Sequence, residues 1–170
     1  MHTLQTERLI LRPISMDDLD DLHEIFGDPV AMQHYPSTRS REDLIPLVER
    51  SMIHFERDRT GFYAMIHRET DEWLGQCGLL WQEVDGVEEL EIGYHCKVKH
   101  WRRGYTSEAA RRLRDFAFEE LDRKHVISLI KPENHPSAGV ARKMGMSVWK
   151  ETEFKGFHCN VWRLRREDWE

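Results

Sequence analysis

The sequence has few of the residues that define disulfide-rich, zinc-binding and membrane-spanning proteins. Its 170 residues include three cysteines, Cys77, Cys96 and Cys159, and no two of them form a CxxC pair. An odd number of scattered cysteines predicts neither a disulfide framework nor a zinc finger. The longest mostly apolar runs, such as 126–130, are far too short to cross a bilayer. We therefore expect no metal site and no contact with a membrane.

The first residues and the net charge argue against a secreted protein and a nonspecific nucleic-acid-binding protein. Residues 1–7 lack the basic segment and apolar segment of a secretory signal, so we expect a cytoplasmic protein. A net charge of −6 argues against nonspecific nucleic-acid binding and favours a cationic substrate. Within this acidic chain, residues 97–114 are strongly basic. This segment indicates a site for an anionic ligand, and the alternative is a solvated helix face.

Apolar periodicity and turn residues predict one mixed α/β domain over residues 1–170. In chain order the expected elements are a strand at 9–12, helices at 19–26 and 44–55, strands at 62–66, 73–82 and 90–94, a helix at 105–121, a strand at 126–130, a helix at 136–144, and a final hairpin with strands at 146–150 and 159–164.

Several local signals set the limits of these elements. Ser15 and Ser40 are candidate N-caps for the first two helices. Asp85-Gly86 predicts a hairpin turn, and Gly145 predicts the end of the last helix. The second helix is expected to bury a stripe formed by Leu44, Leu47, Val48, Met52 and Phe55.

A basic loop with one glycine leads into the helix that begins near Tyr105. The unpaired N–H groups of the first helical turn and the positive end of the helix dipole bind phosphate or pyrophosphate. Gly104 permits close approach of the backbone, while Thr106 and Ser107 offer hydroxyl donors. The loop therefore predicts an anion site, and the alternative is an ordinary capped helix with its arginines in water.

This segment carries a resemblance to a known family. Glu91-Ile92-Gly93-Tyr94, followed by Trp101 to Ala109, resembles the acyl-CoA signature of GCN5-related N-acetyltransferases, the GNAT family. The branch that it most resembles is that of ribosomal-protein N-terminal acetyltransferases, with the pattern EIGY and WGKGYATEA. Residues 6–12, 134–137 and 142–146 resemble further motifs of this branch in the same order. Departures at Val98, Arg102 and Thr106, where proline or small residues are usual, leave the affinity for CoA open.

The resemblance implies a single mixed, mostly antiparallel sheet flanked by helices. Its two central parallel strands, one ending near Cys96 and the other at 126–130, would splay apart to form the acyl-CoA cleft. Acetyl-CoA would be the cosubstrate. The resemblance implies that backbone groups of Cys96, Lys97 and Val98 bind the pantetheine arm and that backbone amides of Arg103, Gly104, Tyr105, Thr106 and Ser107 bind the pyrophosphate. Asn134 would reach the pantetheine or thioester end, and Lys143 would approach the 3′-phosphate. For Lys143 the alternative is a solvated helix lysine.

Two residues are the candidates for catalysis. Glu91 lies on the strand that borders the implied cleft and would act as general base, directly or through water. The alternative is a solvent-facing glutamate beside Glu88 and Glu89. Ser137 would hydrogen-bond or protonate the departing sulfur, and the alternative is a helix-cap serine. Many members of the family have, at the position of Ala141, a tyrosine that serves as the general acid. An oxyanion donor is expected among the backbone N–H groups near 94–96.

The predicted activity is direct transfer of an acetyl group from acetyl-CoA to a primary amine, either a protein N-terminus or a small-molecule amine. The alternatives are a noncatalytic acyl-CoA-binding or regulatory module on the same fold and, less consistent with the charge, a nucleic-acid-binding domain. The first two helices and the turn at 154–157 would shape the acceptor site. The terminal hairpin is a candidate homodimer surface. Acidic residues that would attract a cationic acceptor are Asp17, Asp18, Asp20, Asp21, Glu83 and Asp85; aromatic candidates for the cleft wall, or for the core, are Tyr35, Tyr63, Trp81 and Trp101.

Overall fold

The computed structural model describes residues 2–169, and its strands form one sheet in the order β1-β2-β3-β4-β5-β6-β8-β7. Neighbouring strands are antiparallel except β5 and β6, which are parallel. The predicted mixed, mostly antiparallel sheet is thus confirmed. The strands are β1 Leu4–Gln5, β2 Leu9–Pro13, β3 Gly61–His67, β4 Trp73–Val84, β5 Val87–Cys96, β6 His125–Ile130, β7 Ser147–Phe154 and β8 Phe157–Arg165.

Four α-helices cover the two faces of this sheet. They are α1 Leu19–Phe26, α2 Ile45–Asp58, α3 Tyr105–Glu119 and α4 His135–Lys143, and single 3-10 turns precede α1 and α2. Side chains alternate across β3, so Phe62 and Ala64 pack with α1 and α2 while Tyr63 and Met65 pack with α3 and α4. None of the helices within residues 2–169 combines the length and apolar character that crossing a bilayer requires.

Local sequence signals predicted several turns correctly. Ser15 and Asp18 form a capping box at the start of the turn before α1. Asp85 and Gly86, with φ of 51° and 80°, form the turn between β4 and β5. Gly145, with φ of 92°, follows α4. These signals succeed because each depends on hydrogen bonds and dihedral angles within a few residues.

Other expectations were wrong in detail. The short strand β1 has no periodic signal of its own and exists because it pairs with β2. Helix α3 ends at Glu119, before the expected Leu121. Met52 is 40% exposed and does not join the buried stripe of α2. Ser51 takes the buried position instead, and its Oγ accepts the Phe62 N–H at 2.7 Å, which ties α2 to β3.

The parallel strands β5 and β6 are in register only at Glu91 and Ile127. Beyond that pair the strands splay, and side chains replace the missing backbone ladder. The Ser128 hydroxyl donates to the Ile92 carbonyl at 2.8 Å, and the Leu129 N–H donates to the Glu91 carboxylate at 3.2 Å. The splayed strands therefore open a cleft at the centre of the sheet without leaving these polar groups unpaired.

Candidate active site

Two adjoining cavities follow the splayed strands. One, of about 470 Å³, contains Glu91 on its wall and is called the Glu91 cavity. The other, of about 430 Å³, lies against the N-terminus of α3 and is called the α3 cavity. They meet at a shared wall, so a molecule in one can contact a molecule in the other. The shared wall consists of His34, Tyr35, Tyr94, His95, Asn134 and Ser137.

The Glu91 carboxylate is half-buried on the wall of its cavity. Its two oxygens accept hydrogen bonds from Gln82 Nε2 at 3.0 Å and from the Leu129 N–H at 3.2 Å. Burial raises its pKa to about 6, although both hydrogen bonds act in the opposite direction. At neutral pH the group is thus mainly ionised, with a basicity suited to accepting a proton.

The N-terminus of α3 faces the second cavity. Its N-cap is Gly104, with φ of 80°, so no side chain occupies the N–H groups of the first turn. Tyr105, Thr106 and Ser107 line the cavity and supply that turn. Arg102, in the usual glycine position, adopts φ of 61° and is exposed at the cavity edge. The backbone at Arg102 therefore lies in the left-handed region that favours glycine.

Arg8, the residue directly before β2, contacts this loop. Arg8 Nη1 donates to the Arg103 carbonyl at 3.0 Å, which directs that carbonyl toward Arg8. The Arg8 Nε donates to Glu108 at 2.7 Å, and the guanidinium lies 4.5 Å from the centroid of the Tyr105 ring. The Thr6 hydroxyl donates to the other Glu108 oxygen at 2.5 Å. The opening residues and the first turn of α3 thus form one bonded unit.

The three residues expected to pair with a pantetheine arm have different positions. Cys96 lines the α3 cavity, and its carbonyl accepts the Trp101 indole N–H at 2.9 Å. Burial raises the pKa of the Cys96 thiol to about 11. Val98 does not line either cavity, and its carbonyl accepts the Trp101 backbone N–H at 3.1 Å.

Lys97 points away from both cavities. Its buried ammonium forms ion pairs with Asp21 at 2.7 Å and Glu24 at 2.8 Å, both on α1. Its backbone N–H donates to the Leu74 carbonyl at 2.9 Å, which continues the pairing of β5 with β4. The structure therefore uses Lys97 to hold α1 against the sheet.

The start of α4 brings two predicted residues to the shared wall. Asn134 is the N-cap of α4, and its Oδ1 accepts the Ser137 N–H at 3.3 Å. The cap is therefore Asn134, and the Ser137 hydroxyl is not needed for that role. The Tyr94 hydroxyl donates to the Ser137 carbonyl at 2.8 Å, so β5 and α4 are joined across the cleft. Ala141 is fully buried, while Lys143 is exposed and lines the α3 cavity.

A chain of three polar groups reaches the shared wall from the sheet. The Tyr35 hydroxyl lies 2.9 Å from His95 Nε2, and Gln76 Nε2 lies 3.2 Å from His95 Nδ1. Burial lowers the pKa of His95 to about 4 and raises that of Tyr35 to about 12, so both are neutral at pH 7. No local pattern predicts this chain, because Tyr35 and His95 lie on segments 60 residues apart.

The other aromatic candidates divide between wall and core. Trp101 lines the α3 cavity. Tyr63 is fully buried in the core, and Trp81 packs against that core and donates its indole N–H to Asp58 at 3.1 Å. The turn of the β7–β8 hairpin contributes Phe154 and Phe157 to the Glu91 cavity.

The acidic residues expected to attract the acceptor lie elsewhere. None of Asp17, Asp18, Asp20, Asp21, Glu83 and Asp85 lines either cavity. Four of them are held by cations outside the two cavities, in pairs with Arg12, Arg41, Lys97 and Lys150. Cations that the sequence did not single out, Arg39, Lys131 and Lys155, line the Glu91 cavity instead.

The Acetyltransferase (GNAT) domain family matches residues 8–147, a segment that contains β2 to α4, the splayed strands β5 and β6 and the Arg8–Glu108 pair. The chain belongs to the GNAT acetyltransferase family. Among relatives of this GNAT domain is an uncharacterized N-acetyltransferase, p20, of Bacillus licheniformis. It is 32% identical over 142 residues, which cover 81% of this chain and 78% of the relative.

Solved structures share the fold of this GNAT domain. An acetyltransferase from Agrobacterium tumefaciens is 28% identical, with a TM-score of 0.86 over 98% of this chain and 95% of that one. The ribosomal L7/L12 α-N-protein acetyltransferase RimL, solved with coenzyme A, is 16% identical, with a TM-score of 0.78 over 96% and 98% of the two chains. Within residues 2–169 of this GNAT domain, no group of three or more His, Cys, Asp or Glu is arranged to hold a metal ion.

Proposed function

We propose that this GNAT domain, residues 1–170, transfers the acetyl group of acetyl-CoA directly to a primary amine of a small molecule or a protein N-terminus. One observation carries the proposal. A half-buried carboxylate with a pKa near 6 lies in a cavity that shares its wall with the cavity at the uncapped start of α3. The proposed proton acceptor and the proposed anion site would thus lie at the two ends of one cleft.

The α3 cavity fits the expected parts of CoA. The N–H groups of Tyr105, Thr106 and Ser107 would bind the pyrophosphate, because they have no intrahelical partner. Lys143 extends from the far end of α4 on the same wall and would contact the 3′-phosphate. RimL, which shares this fold, was solved with coenzyme A. The pantetheine arm would then follow Cys96 toward the shared wall.

The reaction needs one proton removed before attack and one delivered after it. Glu91 would accept a proton from the substrate ammonium, directly or through water, which frees the nitrogen lone pair. That nitrogen forms a bond with the thioester carbon, and a backbone N–H near 94–96 would stabilise the oxyanion. The carbon–sulfur bond then breaks. Ser137, on the shared wall, would hydrogen-bond the sulfur as the second amine proton passes to it and CoA thiol leaves.

An acyl-enzyme on Cys96 is not part of this proposal. The nucleophile in such a route is the thiolate, and burial raises the pKa of Cys96 to about 11, so the thiol stays protonated at pH 7. The neighbouring imidazole of His95 is engaged by Tyr35 and Gln76. Direct attack of the amine therefore suits the groups at the shared wall better.

The test is calorimetry followed by a screen of amines. Acetyl-CoA is expected to bind at one site per chain, and dephospho-CoA is expected to bind more weakly because it lacks the 3′-phosphate. A library of primary amines and peptide N-termini then reports CoA release. Glu91→Gln is expected to retain acetyl-CoA binding and lose about 100-fold to 10,000-fold in turnover. Glu88→Gln, an exposed glutamate on the same strand, is the matched control.

Three results would count against the proposal or a part of it. Failure to bind acetyl-CoA at sub-millimolar concentration would show that the loop with Arg102 and Thr106 does not hold CoA. Binding without acetylation of any amine would support the noncatalytic acyl-CoA module instead. Equal loss of turnover in Glu88→Gln and Glu91→Gln would remove the general-base role from Glu91.

A further inference from the structure

Three cations converge on the Glu91 cavity from separate parts of the chain. Arg39 comes from the segment between α1 and α2, Lys131 follows β6, and Lys155 lies in the β7–β8 turn. None of them has an ion-pair partner within 4.0 Å among residues 2–169. The charges at the cavity are therefore not neutralised by an ion pair within the described residues, and they remain available to a ligand.

Aromatic rings support two of these cations without neutralising them. Lys131 Nζ lies 4.0 Å from the centroid of the Phe157 ring, and Lys155 Nζ lies 5.2 Å from that of Phe154. Both rings line the same cavity. A cation held over a ring keeps its full charge and its hydrogen-bond donors. The arrangement thus positions two ammonium groups at the wall.

Glu91 is the one carboxylate on this wall within the part of the chain that the structure describes. Three cations and one carboxylate make the cavity positive overall. A simple ammonium ion is attracted by Glu91 but repelled by the three cations, and both ammonium groups of a diamine are repelled by them. An acceptor that also has a negative group is attracted by Glu91 at its amine and by the cations at its negative group. This contrasts with the cationic acceptor that the net charge of the chain suggests.

We propose that the acceptor is a small primary amine that also carries an anionic group, a carboxylate or a phosphate, bound by Arg39, Lys131 and Lys155 while the amine reaches Glu91. This inference rests on the proposed acetyl transfer at the same site. The positive wall has a second effect, because nearby cations favour the neutral amine over the ammonium. The neutral amine is the form that attacks the thioester.

Matched four-carbon amines test the proposal. At saturating acetyl-CoA, kcat/KM is measured for butylamine, 4-aminobutanoate and 1,4-diaminobutane, with chains of two to six carbons to cover the reach of the site. The anionic member is expected to exceed butylamine by roughly tenfold or more, and the diamine to be poorest. 3-Aminopropyl phosphate distinguishes a phosphate site from a carboxylate site. Preference for butylamine or the diamine at every length would overturn the proposal.

Variants of the cavity lysines test whether the preference for anionic acceptors arises at the Glu91 cavity. Lys131→Gln and Lys155→Gln are each expected to reduce the ratio of anionic to neutral acceptor several-fold, mainly through KM. Lys124→Gln, an exposed lysine that lines neither cavity, is the control. The Kd of acetyl-CoA should stay unchanged in all three. A rise in that Kd with an unchanged acceptor ratio would show that these cations serve the phosphates of CoA, and would overturn the proposal.

Binding measured without turnover separates the two claims. 4-Aminobutanoate and its length series are titrated into the CoA-saturated protein, alongside the corresponding alkylamines. Anion-dependent binding that Lys131→Gln abolishes, in a protein that acetylates no amine, would contradict the proposed function and support the anion site. Efficient acetylation of neutral amines with no anion-dependent binding would support the proposed function and contradict the anion site.

Discussion

The guanidinium of Arg8 donates to the carboxylate of Glu108 at 2.7 Å, joining residues that lie 100 positions apart. The same guanidinium holds the Arg103 carbonyl at 3.0 Å and covers one face of Tyr105. Two motifs far apart in the family match, the opening strand and the loop before α3, are thus one structural unit. The unit therefore holds the residues on both sides of Gly104, the N-cap of α3.

Arg8→Gln is expected to weaken acetyl-CoA binding by a few-fold, because the loop loses the group that orients the Arg103 carbonyl. The loss of folding free energy should be small, about 1 kcal/mol or less, since Arg8 is 39% exposed and solvent screens the pair. Calorimetry and urea unfolding measure the two effects. Arg111→Gln, which changes an exposed arginine on α3, the helix that carries Glu108, is the control. Unchanged affinity would mean that the loop holds its shape without Arg8.

The pair also predicts a pH dependence of stability. Burial raises the pKa of Glu108, but hydrogen bonds from Thr6 and Arg8 outweigh it and lower the pKa below its ordinary value. A carboxyl with a lowered folded-state pKa stabilises the fold above its unfolded pKa of about 4.3, and this contribution disappears as the pH falls through the folded value. Glu108→Gln should therefore destabilise the protein more at pH 7 than at pH 3. An equal difference at both pH values would contradict this.

Glu91 predicts the acidic limb of the pH–rate profile. Because the base must be ionised, kcat/KM is expected to rise with pH through an apparent pKa of about 6. Glu91→Gln should remove that limb along with most of the activity, and Glu88→Gln should retain it. An identical limb in the residual activity of Glu91→Gln would assign the titration to another group.

The same residue is expected to destabilise the fold at neutral pH. The folded-state pKa of Glu91 is raised to about 6, so its ionised form is less favourable in the folded protein than in the unfolded chain. Each pKa unit corresponds to about 1.4 kcal/mol. Stability should fall as pH rises from about 4.5 to above 6, and Glu91→Gln should gain about 1–2 kcal/mol at pH 8. Urea unfolding at pH 5 and pH 8 measures this; a loss of stability at pH 8 would contradict it.

Substitutions of Ser137 and Asn134 are expected to have different effects, the first on catalysis and the second on capping of α4. Ser137→Ala removes only the hydroxyl, because Asn134 and Tyr94 bond the Ser137 backbone. It should lower kcat by roughly tenfold to a hundredfold, the value of a hydrogen bond to a charged group, with little loss of stability. Asn134→Ala should cost about 1 kcal/mol of folding free energy through loss of the cap. A large loss of stability in Ser137→Ala would show that its hydroxyl is structural.

Arg102 tests the cost of the left-handed loop conformation. With φ of 61°, this residue adopts a conformation that glycine reaches without steric cost. Arg102→Gly is expected to stabilise the protein by up to about 1 kcal/mol, because relief of the strain exceeds the added freedom of the unfolded chain. Arg103→Gly, whose φ is not positive, should destabilise it. Thermal unfolding compares the two; a destabilised Arg102→Gly would show that its side chain makes a needed contact.

The sequence determined the features that depend on neighbouring residues. Caps at Ser15, the turn at Asp85-Gly86 and the stop at Gly145 follow from dihedral angles and hydrogen bonds within one turn. Motif spacing along the chain predicted the family, the splayed sheet and the strand that carries Glu91. The placement of Lys97 against α1 lay outside such reasoning, because its partners are 76 and 73 positions away.

Only the tertiary structure decided which charges surround the proposed acceptor site. The net charge of −6 points to a cationic acceptor, yet the Glu91 cavity gathers Arg39, Lys131 and Lys155 from three distant segments. Charge composition averages over the whole surface, whereas a substrate interacts with the few groups that the fold brings within several ångströms of it. That convergence depends on how β6, the β7–β8 turn and the segment after α1 meet at the splayed strands. No local sequence pattern predicts it.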